Sequence, residues 1–266
     1  MIKITSKENA LIKHILKLKE KKYRNEYDEY LIEGIKLVKE AIDENINIKN
    51  IIISEEAVNS ELFEKILKEK IQNKDYTIVE NSIFKLISDV ERPQGVIAII
   101  NKNAENNQID LSKDVILALD DIQDPGNLGT IIRTADSCNI SQILLSKGTV
   151  DCYNSKVIRS TMGAIFRVKI IECEDLEKTL KEIRENNFKI IVTDLNTKKN
   201  IYDINYEKSI IVIGNEANGV SKRIINMADE KVIIPMFGKT ESLNASVATG
   251  VILYEYVRQK IYYKGE

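Results

Sequence analysis

Histidine and cysteine are scarce in this chain of 266 residues, which contains one histidine, His14, and three cysteines. A single histidine excludes His-based catalytic triads and metal sites built from several histidines. Cys138, Cys152 and Cys173 are scattered without C-x-x-C spacing, which argues against a disulfide framework and a zinc site and fits a reducing cytosol. We therefore expect no metal, and we place His14, in a lysine-rich helix, at the surface.

The sequence also lacks the usual marks of export, membranes and common nucleotide sites. The first residues, MIKITSKEN, contain no apolar stretch, and no hydrophobic run approaches the length that spans a bilayer. G-x-G-x-x-G does not occur, and in IVIGNEANGVSK, Ile211 to Lys222, Val220 stands where a P-loop requires lysine. These absences predict a cytoplasmic protein without membrane contact, and they disfavour one alternative, a nucleotide-binding α/β protein of another class.

Charge is nearly balanced over the whole chain, whose formal net charge is −2, so no global basic field attracts nucleic acid. Residues 1–24 differ, because eight lysines and arginines stand there against only Glu8 and Glu20, a surplus of six positive charges. A solvated helix face is the usual reason for such a run, and contact with nucleic-acid phosphates is the alternative. Both interpretations stay open at this point.

Alternating strands and helices predict a small α/β/α domain over residues 1–103. Its predicted elements are a strand in EYLIEG (Glu29–Gly34), strands at Asn50–Ser54, Tyr76–Val79 and Gly95–Ile100, and a helix over Glu61–Gln72. Residues 104–112 are polar and aperiodic, so we predict an interdomain linker there.

A second pattern predicts an α/β domain over residues 113–266. Near-continuous apolar strands separated by helices are typical of a mostly parallel sheet that is covered on both faces. The predicted strands are Val115–Leu119, Gln142–Leu145, Val168–Ile171, Lys189–Thr193, Ile210–Ile213 and Val232–Pro235. Ligands of such sheets bind beyond the carboxyl ends of the strands, so we expect the chemistry in the turns that follow them.

The first informative turn lies in DDIQDPGNLGTIIRTADS, Asp120 to Ser137. Asn127 follows the turn at Pro125-Gly126 and is predicted to cap a helix. Arg133 lies off the apolar stripe of this helix, beside small residues. It is either a solvated charge or a bidentate partner for a phosphate or a carboxylate.

The second turn contains Gly214 and Gly219, which enclose the carboxylate of Glu216. The third begins KVIIPMFGKTESLNASVATG and places Ser242 and Asn244 where a loop becomes a helix, so free backbone N–H groups are available there. The purely structural alternative for the second segment is a strand-to-helix turn that contains glycines. For the third segment it is a core helix with a polar cap.

The helix after the third turn is predicted to bury one face, because Leu243, Val247, Val251, Tyr254, Val257 and Ile261 recur at helical spacing. Its first turns, Ala245 to Gly250, have little side-chain bulk, although Ser, Thr and Gly lower helix propensity. We therefore expect another backbone to approach this part of the helix closely.

NLGTIIRTADS, IVIGNEANGVS and IIPMFGKTESLNASVATGVILYE resemble, in this order, the three motifs of the SpoU/TrmH family of RNA ribose 2′-O-methyltransferases, within the SPOUT superfamily. The resemblance covers roughly half the chain. The amino-terminal unit, with YLIEG and RPQGVIAI, is similar to the substrate-binding domain that precedes the catalytic domain in many members. One departure is Ala217, where glycine is frequent, and a negative φ there would leave the loop unstrained.

This resemblance implies a deep trefoil knot, in which the carboxyl-terminal helix passes through a loop; a threaded helix would explain the small residues from Ala245 to Gly250. It implies S-adenosylmethionine as the cofactor, bound in the knot. It also implies a homodimer through the carboxyl-terminal domain, with residues of both subunits near each active site. The implied reaction is attack by a ribose 2′-hydroxyl of RNA on the methyl group of the cofactor, which needs no metal and no covalent intermediate.

Carried over by position, the resemblance assigns catalytic roles to Asn127, Arg133, Glu216, Ser242 and Asn244. Asn127 and Arg133 are expected near the acceptor ribose and its phosphate, and Glu216 is expected to orient Arg133 or the acceptor. The implied cofactor pocket is formed by Thr193, Asp194, Gly214, Asn215, Gly219, Ile234, Met236 and Leu243.

The RNA itself is less well defined by the sequence. The long basic amino-terminal domain favours rRNA, and 23S rRNA in particular. The alternatives are a tRNA ribose 2′-O-methyltransferase and a non-catalytic RNA-binding protein of the same fold, and the intact Asn127, Arg133, Glu216 and Asn244 argue against the non-catalytic one.

Overall fold

Two compact units make up the structure, a computed structural model that describes residues 2–72, 74–102 and 108–263. The first unit consists of Met1–Glu105 with Tyr153–Phe166, and the second of Asn106–Cys152 with Arg167–Glu266. Residues 153–166 are thus grouped with the first unit, whereas the sequence pattern assigns them to the carboxyl-terminal domain. The predicted linker, 104–112, lies partly outside the described residues, and the predicted domain boundaries stay predictions.

The first unit is built on five strands, β1 (Ile2–Ile4), β2 (Glu29–Glu33), β3 (Ile48–Ser54), β4 (Tyr76–Val79) and β5 (Val96–Asn101). They form one mixed sheet in the order β1-β4-β3-β5-β2, in which β5 runs antiparallel to both of its neighbours. The helices of this unit are α1 (Ala10–Leu18), α2 (Lys21–Tyr27), α3 (Ile35–Asp43), α4 (Glu55–Val58), α5 (Glu61–Ile66), α6 (Asn81–Ile87) and α8 (Ser155–Thr161).

Both faces of this sheet are buried, as its near-continuous apolar strands require. In β5, Val96, Ala98 and Ile100 point into a core with residues of α3 and α5, while Ile97 and Ile99 point into a second core with residues of α1 and α6. The predicted α/β/α arrangement is therefore confirmed.

The second unit contains six strands, β6 (Val115–Asp120), β7 (Gln142–Leu145), β8 (Lys169–Glu172), β9 (Lys189–Thr193), β10 (Ser209–Gly214) and β11 (Glu230–Val232). They pair in the order β11-β9-β10-β6-β7-β8, and every neighbouring pair is parallel. The helices are α7 (Pro125–Ser137), α9 (Leu176–Arg184), α10 (Lys222–Met227) and α11 (Ala245–Tyr263). One core lies between the sheet and residues of α9 and α10, and α11 contacts α7 and β10.

Two predicted elements end earlier than expected. The helix that starts at Glu61 stops at Ile66, because the N–H groups of Leu67 and Lys68 both donate to the carbonyl of Phe63 and the last turn widens. The last strand ends at Val232 rather than Pro235. Ile233 donates to Lys199 and accepts from Ile201 instead, and a proline has no N–H to continue a strand.

His14 is not the surface residue that its lysine-rich helix suggests. Its side chain is 23% exposed, and Nε2 lies 2.5 Å from Oε2 of the buried Glu29, whose other oxygen pairs with Lys49. Hydrophobic periodicity does not reveal such a contact, since His14 and Glu29 are on different elements.

The apolar stripe predicted to bury one face of α11 is largely exposed in the single chain. Val247, Tyr254 and Ile261 are 51%, 56% and 67% exposed. The helix buries another face instead, with Thr249, Ile252 and Leu253 completely covered. An exposed apolar stripe of this kind is typical of a surface that a partner covers. In the part of the chain that the structure describes, no helix is long and apolar enough to cross a membrane.

Candidate active site

The three turns singled out in the sequence lie at one edge of the second sheet. The register pairs Gly214 with Asp120 and Val232 with Thr193. The same edge of the sheet therefore holds the carboxyl ends of β6, β9, β10 and β11. Side chains that follow these strands converge because neighbouring parallel strands end together. This is the edge at which ligands bind in open parallel sheets.

A chain of two hydrogen bonds joins the three turns. Asn244 Nδ2 donates to Asn127 Oδ1 at 2.9 Å, and Asn127 Nδ2 donates to Glu216 Oε1 at 2.6 Å. The residues of these pairs are 117 and 89 positions apart in the sequence. Asn127 can connect the other two because an amide carries both a donor and an acceptor, and it is only 8% exposed.

Helix starts hold both asparagines in place. Asp124, not Asn127, is the N-cap of α7: its Oδ1 accepts from Asn127 N at 2.7 Å, and Pro125 takes the first helical position. The prediction that Asn127 caps the helix is wrong, and the preference of proline for that first position is the signal that points to Asp124. Asn244 Oδ1 accepts from Ser246 N at 3.0 Å and so caps α11.

The loop after β10 is organised by Asn215. Its Nδ2 donates to Asp121 O at 2.8 Å, and its Oδ1 accepts from Ala217 N and Asn218 N at 2.8 and 3.0 Å. Its backbone pairs with Gly219. These bonds let the side chain of Asn215 position the loop and thereby Glu216, and the predicted contact of Asn215 with the cofactor stays a prediction.

A close approach of two backbone segments explains why residue 214, at the start of the same loop, is a glycine. A Cβ at Gly214 would lie 2.1 Å from Gly219 C and from Val220 N, closer than any real contact. Gly219 has φ +67°, a conformation that favours glycine. Ala217 is not among the residues with positive φ, so the departure from the usual glycine there leaves no backbone strain.

The remaining residues of the predicted cofactor pocket come from the end of β9 and from the segment after β11. Thr193 ends β9 and Asp194 follows it, and Asp194 Oδ1 accepts from Asn196 N at 2.9 Å. Ile234, Met236 and Leu243 are partly buried. Residues 234–243 form no hydrogen bond, through backbone or side chain, with any described residue, so their backbone donors and acceptors are available to a ligand.

Two predicted catalytic residues remain outside the hydrogen-bond chain. Ser242 is exposed and has no hydrogen bond within the described ranges. Arg133 is also exposed, and no described residue forms a hydrogen bond or an ion pair with it. Since it follows Asn127 by six residues, it lies about 240° further round the helix and about 9 Å along it. The expected contact between Glu216 and Arg133 is therefore not made within one chain.

Asp120 and Asp121 also support the site, and the sequence patterns do not single them out. Asp120 Oδ2 accepts from Ser221 N at 2.8 Å, across the loop after β10, and Asp121 accepts from Asn215. Among the described residues one group of side chains has the spacing of metal ligands, Asp151, Cys152 and Glu172, with ligand atoms within 4.8 Å of one another. None of the three belongs to the three turns.

Comparison with known proteins decides the family. The sequence matches the SpoU rRNA Methylase family over residues 114–254 and the MRM3-like substrate binding domain over residues 9–98. The chain belongs to the SpoU rRNA methylase family. The predicted relationship is thereby confirmed, both for the carboxyl-terminal domain and for the amino-terminal substrate-binding domain.

Several relatives of this SpoU methylase align over nearly its whole length. It is 31% identical to the 23S rRNA (guanosine(2553)-2′-O)-methyltransferase RlmP of Bacillus subtilis, over 96% of this chain and 98% of that protein. The AdoMet-bound rRNA methyltransferase of Sinorhizobium meliloti is 30% identical, with a TM-score of 0.84 and 97% of each chain covered. The TrmH/SpoU tRNA modifying enzyme of Aquifex aeolicus is 33% identical but covers only 57% of this chain and 78% of its own, with a TM-score of 0.53.

These similarities confirm the predicted fold class of this SpoU methylase, an α/β domain with a mostly parallel sheet and the trefoil knot of the family, preceded by a small α/β/α domain. In the knotted domain, the small residues of α11 are only partly explained by close packing. Ala245 and Thr249 are buried, but a Cβ at Gly250 would meet only Thr134 Cγ2, at an ordinary 3.9 Å.

The close backbone contact at Gly214 gives a prediction for stability. Gly214→Ala forces the loop away from Gly219 and should lower the free energy of unfolding by about 1–3 kcal/mol, as overpacking does. Gly238→Ala is the matched control, because a Cβ there meets nothing within 4 Å, and it should change stability by less than about 0.5 kcal/mol. Urea unfolding of both variants measures the difference, and equal stabilities would show that the loop has room at Gly214.

Proposed function

We propose that this protein is a cytoplasmic enzyme that transfers the methyl group of S-adenosylmethionine to a ribose 2′-hydroxyl of 23S rRNA. The observation that carries the proposal is the hydrogen-bonded chain Asn244–Asn127–Glu216 at the carboxyl edge of the sheet. The Bacillus subtilis relative acts on 23S rRNA, and the rRNA relatives match both units of this chain. The tRNA-modifying relative matches little more than half of it, which favours rRNA over tRNA.

The cofactor cradle in this proposal consists of groups at the ends of β9, β10 and β11. Backbone groups of Gly214, Ile234 and Leu243 hold the cofactor, and their neighbours Thr193, Asp194, Gly219 and Met236 line the pocket. The free backbone donors and acceptors of residues 234–243 fit the polar groups of such a ligand, and the partly buried Ile234, Met236 and Leu243 fit its apolar parts. S-adenosylmethionine supplies an activated methyl group, so the reaction needs no metal.

The residues of the hydrogen-bond chain act on the acceptor ribose. Glu216 Oε1 already accepts from Asn127, and its second oxygen can accept from the ribose hydroxyls. Asn127 and Asn244 fix the direction of that carboxylate, and Ser242 adds a hydroxyl beside them. Holding the 2′-oxygen in line with the methyl group is worth more here than a strong base, because positioning removes much of the entropic barrier.

Arg133 acts as a cation and not as a base. A guanidinium is not deprotonated in proteins, whereas its planar fork suits bidentate binding of a phosphate. In this proposal Arg133 clamps a phosphate of the target nucleotide and stabilises the charge that develops on the 2′-oxygen. The proton leaves to water or to a phosphate oxygen of the substrate.

Mapping of methylated riboses tests the proposed function. The full chain is incubated with S-adenosylmethionine and an unmodified 23S rRNA transcript, and riboses that resist alkaline cleavage are located, beginning around guanosine 2553. We expect one methylated ribose, lost in Asn127→Ala while cofactor binding by calorimetry persists and survives a chelator. Methylation of tRNA alone would favour the tRNA alternative. Cofactor binding without methylation of either RNA would favour the non-catalytic one, and a methylated base would exclude the proposed reaction.

The protein is proposed to work as a homodimer through its carboxyl-terminal domain. The exposed apolar stripe of α11, with Val247, Tyr254 and Ile261, is the surface that a second copy would cover. Helix α11 packs on α7, where Gly250 faces Thr134, so the exposed side of α7 that carries Arg133 lies next to this stripe. A twofold interface here would carry Arg133 of one subunit to the other subunit.

A mixed-dimer experiment tests whether Arg133 serves the active site of the partner. Arg133→Ala and Asn127→Ala are each expected to be inactive. If Arg133 acts across the interface, unfolding and refolding them together gives heterodimers with one intact site, and about one quarter of the wild-type activity returns. The matched control mixes Asn127→Ala with Asn244→Ala, which lie in one site and should not complement. Activity that stays at background in both mixtures would place Arg133 in its own subunit's site.

The basic surplus of residues 1–24 is resolved by the structure into paired and unpaired cations. Lys3, Lys13 and Lys19 form ion pairs with Glu55, Glu8 and Asp89. Arg24 is buried and donates to the carbonyls of Leu18 and Lys19, which closes the end of α1. Lys7, Lys17, Lys21 and Lys22 form no ion pair with a described residue. Of these, Lys17, Lys21 and Lys22, which are close together in the sequence, are proposed to contact RNA phosphates.

Replacing Lys17, Lys21 and Lys22 together by alanine tests this surface. RNA affinity should fall, and the slope of log K against log salt should flatten by roughly 0.7–0.9 for each phosphate that is no longer neutralised, while affinity for the cofactor stays the same. The control triple replaces Lys65, Lys68 and Lys70, which are paired with Glu61, Glu64 and Asp43. Equal slopes for the two triple variants would show that these lysines of α1 and α2 form only a solvated surface.

A further inference from the structure

Phe237 is the most exposed large apolar residue among those that the structure describes. Its side chain is 97% exposed, whereas the next most exposed, Ile261, reaches 67% and belongs to the stripe assigned to the dimer. A fully exposed phenylalanine gains nothing from folding, because no apolar area is removed from water. Its ring is therefore fully available to a molecule from outside the chain.

The position of Phe237 links it to the proposed active site. It lies between Met236, in the proposed cofactor cradle, and Asn244, which is bonded to Asn127. The segment 234–243 makes no hydrogen bond within the described chain. A Cβ at the next residue, Gly238, would meet nothing within 4 Å. The chain beside Phe237 is therefore open to a ligand.

On the basis of the proposed function, we propose that Phe237 is a substrate-binding residue whose ring stacks on a nucleobase of the RNA, at or next to the methylated nucleotide. A nucleobase is flat and has an apolar face, so it covers an exposed ring without a preformed pocket. Every nucleotide that brings a ribose to Asn127 and Glu216 also brings its base to this edge of the sheet. Lys239, two residues on and exposed, places a cation within reach of the neighbouring phosphate.

Stacking of the base would also help to fix the reacting ribose. The chain Asn244–Asn127–Glu216 offers groups for the ribose but no flat surface for the base. A 2′-hydroxyl in a stacked, paired helix is held by its neighbours, and sequence-specific RNA recognition commonly uses bases turned out onto aromatic side chains. Phe237 would hold such a base and so fix the ribose against the methyl donor.

Three substitutions of Phe237 separate stacking from other roles. Phe237→Ala should weaken binding of the unmodified 23S rRNA segment that contains the target ribose. The expected loss is roughly 5- to 150-fold, which corresponds to about 1–3 kcal/mol. Phe237→Tyr keeps the ring and should restore binding, whereas Phe237→Leu keeps an apolar side chain without the ring and should not. The affinity for S-adenosylmethionine and the dimer mass by light scattering should be unchanged in all three variants.

Other outcomes identify other occupants and would overturn the proposal. A loss of cofactor affinity in Phe237→Ala would show that the ring covers the cofactor, and a loss of the dimer would show that it covers the partner subunit. Rescue by leucine as well as tyrosine would indicate simple apolar packing. If the wild-type protein methylates the RNA and Phe237→Ala binds the RNA as tightly as the wild type, the stacking role of Phe237 alone is contradicted. If the wild-type protein does not methylate the RNA, the proposed function is contradicted instead.

Discussion

The hydrogen bonds of Asn127 are the constraint on which the rest of the site depends. One amide group accepts from Asn244 and donates to Glu216, and in doing so it ties together three loops that are far apart in the sequence. Asn127 is nearly buried, and leaving a buried polar group without its partner costs about 1–3 kcal/mol. The loops must therefore approach closely enough to satisfy this amide, which sets the geometry of the whole edge.

The surrounding structure can be understood as support for that amide. Asp124 fixes the start of α7 and hence the direction of Asn127. Asn215 gives its side chain to the loop that carries Glu216, and the absence of a side chain at Gly214 lets that loop fold back on itself. The parallel register of β6 and β10 brings the two loops side by side.

The sequence predicts the elements of the fold well, because apolar strands between amphipathic helices leave a clear pattern. It places β7 and β9 at the residues observed and β6, β8 and β10 to within one residue at each end, whereas the predicted last strand shares only Val232 with β11. The sequence pattern fails where a single contact decides the position or the role of a residue. Asn127 follows a Pro-Gly turn and so resembles a helix cap, but Pro125 at the first helical position makes Asp124 the cap instead. His14 is wrongly placed at the surface because its partner, Glu29, lies on another element.

The stripe on α11 shows a different limit. Its apolar spacing predicts a buried face, but that face is largely exposed in the single chain, and spacing does not reveal which face of a helix the chain itself covers. In the single chain Tyr254 and Val247 remain exposed, and Thr249 occupies the buried side. The site residues themselves come from the family resemblance. Of these, Asn127, Glu216 and Asn244 meet in one chain, whereas Arg133 and Ser242 stay outside the network.

The proposed site requires that Asn127 and Asn244 act as one unit. A double-mutant cycle on single-turnover methylation, with Asn127→Ala, Asn244→Ala and the double variant at saturating cofactor, measures their coupling directly. Residues in one hydrogen-bond network couple by about 0.5–3 kcal/mol, so the double variant should be clearly faster than the product of the two single effects predicts. Strictly multiplicative losses would mean that the two asparagines act independently, and the network would then not be the organising feature of this site.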